Sequence, residues 1–268
     1  DLLRRLDEVL AALPGLRLAL SVFAGVEQIL ERVPEEVVVC GGSGAHDIGV
    51  SEWVLAVILA MRRQLPEFLE FQRRGEWERN VNTMTATGPS PFGEIADLDG
   101  ANVLIVGYGS IGRAVGARLA PFGARVVGVA RRPRPDAQPP EALLGLVGDA
   151  DVVVILVPLT AATDRIVDAE FLARMKPGAL LVNASRGRTV DTDALVDALH
   201  AGRVRAALDV TDPEPLPDRH PLWTAPGVLI TPHISSGVRG TEARAWRIAG
   251  DQLRRYVAGE PLINVAGR

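Results

Sequence analysis

The chain of 268 residues is short of several things, and each shortage excludes something. It has one cysteine, Cys40, so no internal disulfide can form. Within the apolar run Val37-Val38-Val39-Cys40 that residue reads as a small buried hydrophobe. Basic charge is not in excess: 29 Lys and Arg stand against 33 Asp and Glu, a formal net charge of -4. A nucleic-acid binder usually carries a basic stripe or surplus, so a polyanionic partner is not expected. No secretory leader is expected, and no run reaches the roughly 18 apolar residues that a bilayer span needs. The longest candidate, Trp53 to Met61, is about half that length and stops at Arg62-Arg63. No internal repeat or low-complexity tract stands out. The expectation is a cytoplasmic protein without a membrane partner or a metal site, and its 47% of hydrophobic residues suffices for a sizeable core.

What is present is an alternation of strands and helices, in two series. Leu2, Leu3, Leu6, Val9, Leu10 and Leu13 share one helical face until Pro14-Gly15 stops the helix. Leu16 to Val22 reads as a strand, Val26 to Leu30 as a short helix and Glu36 to Cys40 as a strand. A helix follows from about Ile48 to Arg63, and Pro66 restarts one toward Arg74. From Asn80 to Asp99 the pattern is lost in a stretch rich in Thr, Gly and Pro, which reads as an interdomain crossing. The second series opens with Ala101 to Val106, an unbroken apolar run suited to a buried parallel strand. Similar runs are Val126 to Ala130, Val152 to Val157, Leu180 to Asn183, Ala206 to Val210 and Val228 to Ile230, most of them separated by helical segments. Such alternation predicts an α/β fold, a doubly wound parallel sheet covered on both faces. Thr241 to Val257 is a final amphipathic helix.

Gly107-Tyr108-Gly109-Ser110-Ile111-Gly112 follows the strand ending at Val106 and precedes a helix. In a dinucleotide site the first glycine permits a tight turn, the second lets the backbone approach a pyrophosphate, and the third lets helix and strand pack closely. The helix start, at Ser110 and Ile111, offers N–H groups and a positive dipole end to the phosphates. An NAD site of this kind usually has an acidic residue about 20 residues on, at the end of the next strand. Here Ala130 occupies that place and Arg131-Arg132 follow it. Without the carboxylate nothing repels a 2′-phosphate, and a guanidinium can bind one through two hydrogen bonds. The pattern predicts a preference for NADP(H), with NAD(H) possible; the bland reading is two solvated loop arginines.

Three later segments bear chemistry: Asn183-Ala184-Ser185-Arg186-Gly187, Leu208 to Pro215 containing Asp209 and Glu214, and Thr231-Pro232-His233-Ile234-Ser235-Ser236. Each follows an apolar strand, at the edge where open parallel sheets bind ligands, so Arg186, Glu214 and His233 can converge. Taken singly, they also read as a surface contact, a turn residue and a structural histidine. With the glycine motif upstream, however, these segments and their order resemble the D-isomer-specific 2-hydroxyacid dehydrogenases, a family that includes glyoxylate/hydroxypyruvate reductases and phosphoglycerate dehydrogenases. The resemblance runs from about Leu13 to Val265.

The resemblance implies a catalytic trio of Arg186, Glu214 and His233. Reducing a 2-oxo acid needs hydride at the carbonyl carbon and a proton at its oxygen. An imidazole such as His233 can supply that proton, and a neighbouring Glu214 would favour its charged form. Arg186 can pair with the substrate carboxylate and polarise the carbonyl. Asp209 matches a position that bonds the nicotinamide carboxamide; Pro158, Thr163, Ala184 and Ser236 match the cofactor lining. Ala24 and Gly25 match a loop whose N–H groups hold the substrate carboxylate, with Phe23 and Trp223 as pocket or packing residues. The implied architecture is a Rossmann dinucleotide-binding domain at 93–234 and a smaller flavodoxin-like substrate domain from 1–92 and 235–268. That smaller domain reads as lacking its N-terminal strand. A cleft between the two would hold the substrate, and the resemblance implies a homodimer. The Glu214 partner argues against the formate dehydrogenase branch, whose His partner is typically Gln. The alternative class is an NAD(H)-sensing binding protein or corepressor-like scaffold on the same fold.

Overall fold

The computed structural model describes residues 2–23, 25–81, 88 and 95–267. In chain order its elements begin with helix α1 (Leu2–Ala11), strand β1 (Leu18–Leu20), helix α2 (Glu27–Leu30), strand β2 (Val38–Cys40) and helices α3 (Asp47–Arg62) and α4 (Leu65–Arg74). Strand β3 (Asn102–Val106), α5 (Ser110–Leu119), β4 (Arg125–Val129), α6 (Leu143–Leu146), β5 (Val152–Ile155) and α7 (Ala169–Arg174) follow. Then come β6 (Ala179–Asn183), α8 (Thr192–His200), β7 (Val204–Leu208), β8 (Val228–Ile230), α9 (Thr241–Ala258) and β9 (Val265–Gly267). By internal contacts the chain forms two units, Asp1–Gly49 with Ser236–Arg268, and Val50–Ser235.

In the larger unit the six described strands pair in the order β4-β3-β5-β6-β7-β8, all parallel. Their side chains alternate between two buried layers, as the period of two requires. Leu104, Val106, Val153, Ile155 and Leu181 pack against Phe171 and Leu172 of α7 and Leu195 and Leu199 of α8. Val103, Ile105, Val152, Val154 and Val182 pack on the opposite face against Val54, Ile58 and Met61 of α3 and Val115 and Leu119 of α5. This is the doubly wound, Rossmann-like arrangement. Because β3 lies between β4 and β5, the winding reverses beside it, which puts the switch point where such sheets bind ligands at the carboxyl ends of β3 and β5.

The sequence places the first domain boundary at 92/93, on residues outside those described. The contacts divide the chain inside α3 instead, because Val50, Val54, Val57, Ile58 and Met61 belong to the sheet's core. Pro158 and Val157 lie beyond the end of β5, which stops at Ile155, so that strand is shorter than its apolar run. At the opposite edge of the sheet Asp151 accepts from Asn102 N–H at 2.8 Å and pairs with Lys176 at 2.9 Å. Burial pushes its carboxyl up, but those two partners, with Arg62 nearby, hold it below the usual carboxylate value.

The smaller unit is built on the sheet β1-β2-β9, in which β1 and β2 run parallel. Strand β9 pairs antiparallel to β2, an edge the sequence reading did not include. Cys40 is buried here and unbonded, and burial pushes its thiol up. Among the described residues no helix is long and apolar enough to cross a membrane.

Candidate active site

The glycine motif sits where β3 ends. Gly107 has φ +102, and a Cβ there would lie 2.6 Å from the main chain of Leu156, so a side chain is excluded both by conformation and by space. A Cβ on Gly112 would lie 2.6 Å from the Gly107 carbonyl oxygen, which sets how closely α5 approaches the loop. A Cβ on Gly109 would meet nothing within 4 Å. The chain itself therefore makes no use of that glycine, and the bare backbone faces open space at the start of α5. Helix α5 has no side-chain cap and no acidic residue in its first turn, which leaves its dipole end suited to an anion. These features fit the pyrophosphate of a dinucleotide.

Arg131 and Arg132 are exposed just after β4, at the edge of the same loop. Among the described residues neither pairs with a carboxylate. Arg134, which the sequence reading passed over, points back instead: its Nη1 donates to the Tyr108 carbonyl within the glycine motif at 2.8 Å. The spacing Arg131-Arg132-Pro133-Arg134 carried that signal, but nothing in the sequence fixed the direction of the third guanidinium. Beyond the end of β5, Thr163 is turned onto its own loop. Its hydroxyl donates to the Pro158 carbonyl at 2.6 Å and accepts from Thr160 N–H at 2.8 Å. Ala184 N–H donates to the Ile155 carbonyl at 3.3 Å, beside the end of β5.

Arg186 follows β6 and is exposed, its Nη1 donating to the Ser185 carbonyl at 2.7 Å. A buried polar network holds its backbone. Asn183 Nδ2 and Thr189 Oγ1 both donate to the Arg186 carbonyl, at 3.0 and 2.7 Å. Asn183 Oδ1 accepts from the N–H and the hydroxyl of Ser185 at 3.1 and 2.8 Å. A Cβ on Gly187 would overlap the Thr211 carbonyl, so the Arg186 turn lies directly against the segment leading to Glu214. Thr192 Oγ1 donates to the Asp212 carbonyl at 2.8 Å and ties the two segments again. Glu214 itself lies between two cis prolyl bonds.

His233 has φ 53, in the left-handed region. Its Nδ1 is 2.7 Å from Glu214 Oε1; since the carboxylate accepts, Nδ1 carries the hydrogen and Nε2 faces away from the pair. The side chains are 46% and 41% exposed, so this is an open, solvated hydrogen bond rather than a buried one. Asp209 builds the turn that presents the histidine. It is 1% exposed, and its carboxylate accepts from Thr231 Oγ1 at 2.6 Å, Ile234 N–H at 2.9 Å and Ser235 N–H at 2.9 Å. Its carbonyl also accepts from His233 N–H at 2.8 Å. Three of the carboxylate's roughly four acceptor directions are thus already used.

The remaining residues fall elsewhere. Trp223 is 51% exposed, with its indole N–H on the Pro217 carbonyl at 2.9 Å. Phe23, Gly25 and Ser236 belong to the smaller unit, and Ser236 accepts from Thr241 Oγ1 at 3.0 Å. Ala24 lies outside the described residues.

Residues 55–235 match the family model described as D-isomer specific 2-hydroxyacid dehydrogenase, NAD binding domain. The chain is 34% identical over 262 residues to a glyoxylate reductase of Thermofilum pendens, covering 94% of this chain and 75% of that protein. Its fold superposes with a TM-score of 0.81, at 32% identity, on a D-isomer specific 2-hydroxyacid dehydrogenase from Xanthobacter autotrophicus in complex with NADPH and MES. That match covers 96% of this chain and 79% of the other. A second structure, an NADPH-dependent glyoxylate/hydroxypyruvate reductase from Sinorhizobium meliloti in complex with NADP and sulfate, matches at TM-score 0.83 and 26% identity, covering 97% and 81%. The chain spans between about half and three quarters of the length of the curated relatives it matches. It belongs to the D-isomer specific 2-hydroxyacid dehydrogenase family and carries that family's NAD binding domain.

Proposed function

We propose that the protein is an oxidoreductase that transfers a hydride between NADP(H) and a small 2-oxo or D-2-hydroxy acid, in the manner of the glyoxylate/hydroxypyruvate reductases. The observation that carries this reading is the His233–Glu214 pair at 2.7 Å, held on the same sheet edge as the dinucleotide motif. The nicotinamide, when bound, would supply or accept the hydride at the substrate's carbon. The protein does the rest. His233, held by Glu214 through Nδ1, has Nε2 available to give a proton to the carbonyl oxygen or take it from the hydroxyl. Glu214 stabilises the imidazolium that this requires. Arg186 pairs with the substrate carboxylate and draws charge onto the carbonyl oxygen.

Gly107, Gly109, Gly112, Ser110 and Ile111 would hold the pyrophosphate, and Pro158, Thr163, Ala184 and Ser236 would line the nicotinamide half. Asp209 has one acceptor direction left for the carboxamide. Ala24 and Gly25 would bind the substrate carboxylate. The NADP(H) preference rests on Ala130 in place of an acid and on the exposed Arg131 and Arg132, which pair with no carboxylate among the described residues. Arg134, tied to the glycine motif, supports it by fixing the turn on which those two arginines stand. A homodimer is supported by α4, which has no buried residue although Leu65 and Leu69 are each 49% exposed and Trp77 beyond it is 78% exposed.

The test is oxidation of NADPH and NADH in parallel, against glyoxylate, hydroxypyruvate, pyruvate and phenylpyruvate. Turnover with NADPH well above NADH is expected. A preference for NADH would overturn the cofactor reading alone. Tight cofactor binding with no turnover of any 2-oxo acid would overturn the enzyme reading in favour of a cofactor-sensing binding protein.

A further inference from the structure

His46 lies outside the catalytic constellation, yet it is 8% exposed and placed against Val22 and Phe23. The segment carrying it is a fixed platform. Gly41 N–H donates to the Asn264 carbonyl at 3.0 Å, Asn264 Nδ2 donates to the Ser43 carbonyl at 2.9 Å, and Arg244 Nε donates to the Ala45 carbonyl at 3.0 Å. Helix α9 and the approach to β9 thus hold residues 41–46 from behind. From that platform Gly42 N–H donates to the Phe23 carbonyl at 2.8 Å, and His46 Nε2 lies 3.3 Å from the Val22 carbonyl. A carbonyl only accepts, so Nε2 carries the hydrogen. A Cβ on residue 42 would come within 2.6 Å of the Val22 oxygen, so the two segments are in direct contact. The imidazole also lies parallel to the Phe23 ring, with centroids 6.5 Å apart and planes at 9°. Phe23 is itself 60% exposed, and its N–H is bonded to Ser21 Oγ at 3.0 Å.

His46 Nδ1 is buried and has no hydrogen-bond partner among the described residues. The ring therefore spends its whole polar capacity on one main-chain carbonyl and leaves a buried acceptor unmet. That is a poor arrangement for stability alone, and a purely packing role would be served by an apolar side chain. What the arrangement does achieve is directional. Fixing the Val22 carbonyl and stacking on the next side chain sets the Val22–Phe23 peptide plane, two residues before Gly25. A main-chain N–H binds a carboxylate well only near linearity, so small rotations of a peptide plane weaken it steeply.

We propose that His46 is a positioning residue for substrate recognition: through the Val22 carbonyl and the Phe23 ring it orients the loop containing Gly25 toward the substrate carboxylate. The inference rests on the oxidoreductase reading above, in which that loop binds the carboxylate.

Two variants separate it from a packing role. His46→Phe keeps an aromatic ring for Phe23 but has no donor for Val22; His46→Gln keeps a donor near the position of Nε2. Steady-state reduction of glyoxylate with NADPH, and inhibition by oxamate as a non-reacting carboxylate analogue, are measured for the wild type and both. The glyoxylate KM and the oxamate inhibition constant are expected to rise together by about tenfold in His46→Phe, the effect of one lost hydrogen bond to a fixed group. kcat is expected to change by less than about threefold, the NADPH KM to hold, and His46→Gln to restore both constants to within about threefold of wild type. A His46→Phe enzyme with the wild-type KM would overturn the inference while leaving the oxidoreductase reading intact. So would parallel losses of kcat, NADPH affinity and thermal stability in both variants, the signature of a packing role. A wild-type protein that neither reduces a 2-oxo acid nor binds oxamate would overturn both.

Discussion

Replacing Glu214 with glutamine removes one charge and almost nothing else. The amide oxygen can still accept from His233 Nδ1 across the 2.7 Å contact, so the ring keeps its orientation and its tautomer. What is lost is the attraction between a carboxylate and an imidazolium. Unit charges about 4 Å apart are worth about 4 kcal/mol near a protein surface and about 1 kcal/mol in bulk water. The side chains are 41% and 46% exposed in the free protein, so an intermediate value of about 2 kcal/mol is appropriate. At 1.36 kcal/mol per decade that is a loss of about 30-fold in kcat/KM. In the direction of hydroxy-acid oxidation the imidazolium forms during the reaction, so the loss should fall on kcat, with the KM for the hydroxy acid nearly unchanged. The assay is NADP reduction with glycolate or D-glycerate, with NADP affinity measured separately by fluorescence. Activity within about twofold of wild type would mean that the carboxylate only orients the ring, and the electrostatic reasoning would fail. A loss beyond about 1000-fold would mean that the pair is shielded in the working enzyme far more than the exposed geometry allows.

Five further outcomes are expected. His233→Ala should abolish reduction while NADPH still binds; near-normal turnover would remove the histidine from its role. Gly109→Ala should leave the melting temperature nearly unchanged, because its Cβ meets nothing within 4 Å, yet weaken NADPH binding by about tenfold or more. Gly107→Ala, at φ +102 and against Leu156, should instead lower stability by roughly 2 kcal/mol or more, read by urea denaturation; equal effects in the two variants would contradict the assignment. Arg131→Ala with Arg132→Ala should raise the KM for NADPH by about tenfold or more and leave that for NADH within about twofold, and a parallel rise in both would sink the 2′-phosphate reading. Asp209→Asn presents an amide N–H₂ to donors and should cost about 2 to 4 kcal/mol in stability while displacing His233, so kcat falls with the melting temperature; a variant with full stability would refute the account of that turn.

Most of the larger unit was legible because its strands are buried on both faces. A parallel strand covered by helices needs no alternation, so Val103 to Val106 and Val152 to Ile155 appear as plain apolar runs. Where a charge interrupts the run the reading shortens. Strand β7 begins at Val204, two residues before the sequence placed it, because Arg205 joins the ladder opposite Leu180. Its guanidinium is drawn toward Glu67 of α4 at 3.5 Å, a partner far away in sequence. Strand β9 was not legible at all. Three residues ending in glycine have no pattern of their own, and only the ladder to Val39 and Cys40 makes them a strand.

The candidate site divides in the same way. Residues that act on a ligand announce themselves, because their chemistry restricts the residue type: an imidazole, a guanidinium, a glycine with bare backbone. Residues that hold those groups in place do not, since any donor or acceptor at the right distance will serve. Asn183 and Thr189 clasp the Arg186 carbonyl, and Arg134 reaches the Tyr108 carbonyl, yet each is an ordinary polar residue in the sequence. Asp209 belongs to both groups. The family resemblance proposes it for the cofactor's carboxamide, while its three donors from the Thr231–Ser235 turn make it the anchor of His233. A buried carboxylate is suited to that double duty, because it accepts several hydrogen bonds and donates none, so one side chain can fix a catalytic turn and still face a ligand's amide. A cofactor amide at its open acceptor direction would then bear on the same carboxylate that presents the histidine. Under that reading, occupancy of the cofactor pocket and the rigidity of the His233 turn rise together.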